Sequence, residues 1–392
     1  MSHADEPISP PVAVDNAAES VASAEPGVSA EPASGARPAA AAGFPPAAAA
    51  QALSHAELAR AVGMRDQVVA EVARVYIGED RVIIVLLAAL LARGHVLLEG
   101  VPGLAKTTLA KAVARVLGCD YRRLQFTPDL LPADITGTFI FNPKSSEFEL
   151  RRGPLFAQLV LADEINRAPA KTQSALLEAM QERQVTIDGL TLGLPMPFLV
   201  LATQNPVEQE GVYLLPEAQV DRFLVRIRLD YPTTADEVQM LQTYNREVAE
   251  PEPVASVTDV IALSDLVDRV HVEERVMRYA VRLIQATRSH GRVALGASPR
   301  ASLGLIRMAK AWALLAGRDY VSPDDLRLLS PVVLEHRVMV TTDAAIEGTT
   351  AADVVRDVLR TTPVMETSRE GSATLPPAPG GNGGIHWAGD DA

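Results

Sequence analysis

The stretch His95 to Thr108, HVLLEGVPGLAKTT, restricts the fold more than any other part of this chain. Val96, Leu97 and Leu98 read as a buried strand, a tight loop follows, and a helix is expected to open at Lys106. Gly100, Val101, Pro102, Gly103, Leu104, Ala105, Lys106 and Thr107 match the phosphate-binding pattern G-x-x-x-x-G-K-[ST] except that Ala105 stands for the second glycine. Consecutive backbone N–H groups have to turn inward around phosphate oxygens, which a glycine-rich turn feeding a helix N-terminus permits. Lys106 is then placed to reach the β and γ phosphates of a nucleotide, and the Thr107 hydroxyl to ligate Mg²⁺. Thr108 closes the segment counted as nucleotide-contacting.

The rest of the pattern extends this start into an α/β fold. Leu159 to Ala162 and Phe198 to Thr203 are continuous apolar runs of the kind that fill a parallel sheet covered on both faces. Helical periodicity lies between them over Lys171–Arg183 and precedes them from about Ser54, over Thr107–Leu117 and over Asp80–Arg93, where Gly94 is expected to stop the helix. Two hairpins are expected, over Thr136–Leu150 and over Val185–Phe198, the second turning at Asp188-Gly189. From Ala235 on helical patterns dominate, among them Asp236–Glu247 and Leu263–Val270, giving an all-α second domain. The expected division is a flexible Ala/Pro-rich arm over 1–50, an αβα core over 51–231, a helical domain over 232–366 and a Gly/Pro-rich tail over 367–392.

Charge and cysteine usage narrow the function. The net charge is −13, and the arm (six acids, one base) and the tail (three acids, one base) leave about −6 for the middle, which offers no basic face to a nucleic-acid backbone. The start MSHADEPISP has neither a basic nor an apolar targeting segment, and the longest apolar run, Val82–Ala92, is about half of a membrane span. A lone Cys119 excludes an intrachain disulfide, and the expected compartment is the cytoplasm. Scattered histidines make a protein-only metal cage an unattractive reading.

Polar residues at the ends of the buried runs supply the chemistry. Asp163 stands where a Mg²⁺-ligating aspartate belongs, and Glu164 beside it is placed to polarise a water. Asn205 ends the next run and can orient the same water. Arg222, in PEAQVDRF, reads either as a solvated loop residue or as an arginine offered to a neighbouring subunit. In GASPR, Ser298 reads as a helix N-cap with Pro299 at N1, so Arg300 opposes the helix dipole unless an anion such as phosphate lies nearby.

In this order GVPGLAKTT, LVLADEINRA, ATQNP, LPEAQVDRF and GASPRA resemble the MoxR family of AAA+ ATPases, over roughly residues 54 to 365. The resemblance implies a five-stranded parallel sheet followed by a helical lid, with ATP and Mg²⁺ between them. It makes Lys106 and Thr107 the Walker A residues, Asp163 and Glu164 Walker B, Asn205 sensor 1, Arg222 the arginine finger and Arg300 sensor 2. Ile77-Gly78 takes the place that flanks adenine, and the two hairpins those of inserts facing the central pore or the substrate side. The implied protein is a ring, a hexamer, that hydrolyses ATP at subunit interfaces and remodels client proteins with a von Willebrand factor A domain partner. Two rivals are a magnesium-chelatase-like motor subunit and a nucleotide-gated scaffold with negligible turnover.

Overall fold

Five short strands lie side by side at the centre, every neighbouring pair parallel. The structure is a computed structural model and describes residues 52–101, 103–204, 213, 215–245 and 249–364. Both terminal arms, Pro102 and Asn205 lie outside the described residues.

Helices α1 (His55–Ala73) and α2 (Asp80–Leu91) precede β1 (Val96–Glu99), and α3 (Lys106–Val116) leads to β2 (Tyr121–Gln125). After the short α4 (Pro132–Thr136) come hairpin strands β3 (Gly137–Asn142) and β4 (Glu147–Arg152), then β5 (Leu159–Asp163) and α5 (Ala170–Glu182). A second hairpin, β6 (Gln184–Ile187) with β7 (Leu190–Gly193), is followed by β8 (Leu199–Gln204), α6 (Glu217–Val220) and β9 (Val225–Arg228). The sheet order is β2-β5-β8-β1-β9. Helices α7 (Thr234–Tyr244), α8 (Val257–Arg269), α9 (Glu274–Ser289), α10 (Pro299–Leu315), α11 (Pro323–Leu334), α12 (Thr342–Ile346) and α13 (Ala351–Thr361) follow, with a short antiparallel pair, β10 (Val293–Leu295) and β11 (Met339–Val340), among them.

The unbroken apolar runs have a direct cause. Side chains alternate across a strand, and here both faces are covered. Val96, Leu98, Leu159, Leu161, Leu199 and Leu201 pack into one core with α1, α2, α3 and the later helices. Leu97, Val160, Ala162, Val200 and Ala202 enter a second core with α5 and the hairpin residues. With aromatics at 4% of the chain, both cores are built mainly of Leu, Val, Ile and Ala.

Helix starts depart most from the sequence reading. Helix α8 begins at Val257 rather than Leu263, because Ser256 and Asp259 form a reciprocal capping box. Thr233 with Asp236 does the same for α7. Polar caps, not the first apolar residue, set these boundaries. At the end of α2 the left-handed residue is Arg93 (φ 54°), not Gly94. Gly94 answers a different demand: a Cβ there would lie 2.3 Å from Leu224 Cδ2, so glycine lets β1 enter beside that side chain. Both hairpins form, and Asp188-Gly189 supplies two consecutive positive φ values, 47° and 84°.

Candidate active site

Strand β1 runs into the loop through Glu99 and Gly100, and α3 starts at Lys106. Gly103 has φ 91°, a backbone that L side chains rarely adopt, and a Cβ on it would touch nothing within 4 Å, so its surroundings are open. Ala105, the departure from the pattern, takes the left-handed conformation a glycine would take freely (φ 53°), at a cost of ~1 kcal/mol. As N-cap it offers no side-chain bond to the first turn of α3. The N–H groups there stay available to an anion, with the helix dipole favouring it. Lys106 Nζ currently donates to the Gly100 carbonyl (2.6 Å). Burial pushes this amine below its ordinary pKa, while the carboxylates of Asp163 and Glu164 pull it back up, which puts all three groups in one field. Thr107 is exposed at the helix start and Thr108 half-buried.

Asp163 ends β5, beside the central strand β8, and Glu164 follows it directly. Thr203, fully buried on β8, holds both: its Oγ1 donates to Asp163 Oδ1 (2.6 Å) and accepts from the Glu164 N–H (2.8 Å). Asp163 Oδ2 accepts from Arg123 Nη2 (2.7 Å) and Nε (3.1 Å) on β2. Glu164 sits at φ 57°, a strained backbone that turns its carboxyl off the strand axis, and Oε2 accepts from Gln125 Nε2 (2.7 Å). Arg167 Nε lies 3.3 Å from the same oxygen. Thr203, Arg123 and Gln125 were not singled out in the sequence; a hydroxyl and two polar side chains at the carboxyl ends of buried strands were the available signal. The donors here, a hydroxyl and a carboxylate beside an open helix N-terminus, are the hard oxygens that Mg²⁺ takes with phosphate.

A cavity of ≈ 730 Å³ opens next to the loop, lined by Gly103, Leu104 and Ala105. Ile77 and Gly78, which the family resemblance would set beside adenine, also line it. Its remaining wall includes Tyr231, Met240 and Tyr244, from the end of β9 and from α7. The volume lies in the usual range of ~300–1,000 Å³ for small-molecule sites, and the wall is apolar enough to receive a purine. The aromatic and methionine contribution from α7 was not foreseen, because it depends on α7 folding back over the loop.

Arg222 and Arg300 gather elsewhere, around Asp221. Arg300 Nη1 lies 4.0 Å from Asp221 Oδ2, and Ser298 Oγ donates to that oxygen at 2.9 Å. Ser298 does occupy the N-cap position of α10, but its hydroxyl is spent on Asp221 rather than on a helix N–H. The anion beside Arg300 is therefore a carboxylate of the same chain. Asp221 Oδ1 accepts from Arg337 Nε (2.7 Å), and Arg337, with its side chain 3% exposed, also donates to the carbonyls of Phe223 and Leu224. Arg222, one residue on, is half-buried and makes no ion pair among the described residues. Neither Arg222 nor Arg300 lines the cavity. Asp221 and Arg337 were not anticipated.

Residues 95–225 match the ATPase family associated with various cellular activities (AAA), and residues 285–358 match the AAA lid domain. The chain is 50% identical over 288 residues to the uncharacterized protein YeaC of Bacillus subtilis, covering 73% of this chain and 90% of that one. It is 46% identical over 313 residues to the chaperone MoxR1 of Mycobacterium tuberculosis, covering 78% and 83%. A crystal structure of a presumed ATPase from Cytophaga hutchinsonii superposes with a TM-score of 0.72 at 41% identity, over 77% of this chain and 96% of that one.

Proposed function

Since the chain belongs to the MoxR family of AAA+ ATPases, we propose that it binds ATP with its base in the ≈ 730 Å³ cavity and its phosphates on α3, and hydrolyses it to ADP and phosphate. The observation that carries this reading is the N-terminus of α3, left without a side-chain cap and opening through Gly103, Leu104 and Ala105 onto that cavity. Lys106 exchanges the Gly100 carbonyl for β and γ phosphate oxygens. Gly100 to Thr108 surround the phosphates, and Ile77 and Gly78 flank the base. Thr107 and Asp163 hold Mg²⁺, which when bound neutralises phosphate charge. Glu164 takes the proton of the attacking water as general base, with its backbone pinned by Thr203 and its carboxyl held by Gln125. Asn205 orients that water from the neighbouring strand end.

Arg222 is assigned to the active site of the adjacent subunit in a homo-oligomeric ring, a hexamer, where its charge stabilises the transferring phosphoryl group. Arg300 reports nucleotide to the helical part. The functional division falls at 231/232, between an ATPase core over residues 51–231 and a lid over 232–366. The work done is remodelling of client complexes in the cytoplasm, with a von Willebrand factor A domain protein as partner, without nucleic acid and without membrane insertion.

The test is the ATPase rate against protein concentration, for the wild type and Arg222→Ala, with size-exclusion profiles at each point. The specific rate should rise with assembly and fall about a thousandfold in the variant, with ATP binding retained. Loss of ATP binding in Arg222→Ala would remove the trans role. One feature favours the scaffold reading: Lys106 is spent on Gly100 and Asp163 on Arg123, so the resting site satisfies itself. Tight ATP binding with a flat, near-zero rate at all concentrations and with partner added would establish that reading instead.

A further inference from the structure

At the amino end of β1, across the sheet from the phosphate loop, residues of α8 and α10 and those ending α2 and α5 enclose a second cavity of ≈ 170 Å³. Four cations line it, Arg93, Arg183, Arg307 and Lys310, with Asp268 as the acid in its wall. Asp265 joins through an ion pair to Arg93, so four positive groups face two negative ones and the local balance is +2, in a chain of net charge −13.

The two carboxylates are taken up by one arginine, since Arg93 also pairs with Asp268 at 3.2 Å. Arg183 Nη2 donates to the Arg93 carbonyl (3.0 Å) and Lys310 Nζ to the Asp268 carbonyl (2.9 Å), groups at helix ends whose dipoles welcome a cation. These bonds use one donor of each side chain. Arg307 makes no ion pair among the described residues. Burial pushes the Arg183 guanidinium below its ordinary pKa, and Arg93 and Arg307 push it the same way.

A separate observation concerns a neutral group. Ser264 lines the same cavity from α8, is only 4% exposed, and its hydroxyl has no hydrogen-bond partner among the described residues. A mid-helix serine ordinarily returns its hydroxyl to the carbonyl four residues back. A buried hydroxyl left unmet beside surplus guanidinium groups is the complement of an acceptor-rich anion.

We propose that this cavity is a binding site for a small phosphate-class oxyanion, which accepts N–H bonds from Arg183 and Arg307 and the O–H bond of Ser264. Nucleotide-sized ligands need pockets of ~300–1,000 Å³, so a site of this size admits an ion and not ATP. It is built by other residues than the phosphate loop and works at the opposite edge of the sheet.

The experiment uses the full chain carrying Lys106→Ala, which silences the phosphate loop, and titrates inorganic phosphate by calorimetry and thermal unfolding, with chloride at matched ionic strength as control. Phosphate should bind with one site per chain and raise Tm where chloride does not. Adding Arg307→Gln should weaken that binding at least tenfold, and adding Ser264→Ala several-fold. Arg307→Gln relieves crowding, so its Tm without phosphate should hold or rise; if it falls, Ser264→Ala carries the comparison. A phosphate response that is absent in Lys106→Ala, or that is the same with and without Arg307 and Ser264, overturns the proposal.

Discussion

The two edges of the same sheet are built on opposite terms. At the carboxyl edge, Ala105 and Glu164 hold left-handed backbones, α3 has no cap, and Lys106 and Asp163 are satisfied by neighbours a ligand would displace. At the amino edge, His95 opens β1 fully enclosed, and both ring nitrogens have permanent partners. Nδ1 accepts from the Val200 N–H (3.0 Å), which fixes the proton on Nε2, where it donates to the Met180 carbonyl (3.0 Å). Its ring meets Phe198 edge to face, with centroids 5.6 Å apart. Left-handed residues occur at both edges, Arg93 and Arg183 at the amino one; the carboxyl edge differs in its exchangeable bonds where chemistry is expected, while around His95 the polar groups hold strands in register.

Substitutions should therefore separate turnover from stability according to edge. The largest effect is expected from Glu164→Gln: turnover falling about a thousandfold with ATP retained and Tm held, read by single-turnover hydrolysis and nucleotide retention. Unchanged turnover would break the assignment of the carboxyl edge. Next is the pH dependence set by His95, whose pKa burial pushes down from 6.5 to about 4. Between these values the unfolded chain binds a proton that the folded one refuses. Stability is therefore complete above pH 6.5 and lost as pH falls toward 4, by up to about 3 kcal/mol. His95→Gln should flatten that part of a denaturation series and leave turnover per folded molecule unaltered; a fall in turnover would erase the division between edges.

A smaller effect tests the region between core and helices. Asp221→Asn removes the charge opposite buried Arg337 and should cost about 2 kcal/mol in denaturant unfolding. Smallest is Thr203→Val, which keeps the shape of β8 but releases Asp163 and the Glu164 N–H. Turnover should drop about tenfold, roughly 1.4 kcal/mol in the barrier, while Tm moves little. If instead Tm collapses and turnover per folded molecule stays, Thr203 belongs with the structural edge.

The carboxyl edge was largely legible because its requirements are local. A phosphate loop needs particular residues at consecutive positions, and Asp163-Glu164 stands directly after an apolar run, so pattern and chemistry coincide. The amino edge was not legible. His95 bonds residues 85 and 105 positions away, and no spacing rule connects Arg93, Arg183, Ser264 and Arg307. Asp221 is intermediate: it lies inside a recognised motif, yet its partner Arg337 is 116 residues on and reads in sequence as an ordinary helix-end cation.

By itself the sequence determined the alternation of strand and helix, the loop that carries the phosphate-binding pattern and the acidic pair that follows a buried strand, because apolar periodicity and turn chemistry act over a few residues. Tertiary structure alone decided which side chains restrain that pair, where α7 closes the cavity wall, and which edge of the sheet collects surplus positive charge. Those are matters of packing between segments distant in the chain, where burial sets the strength of each charge and hydrogen bond.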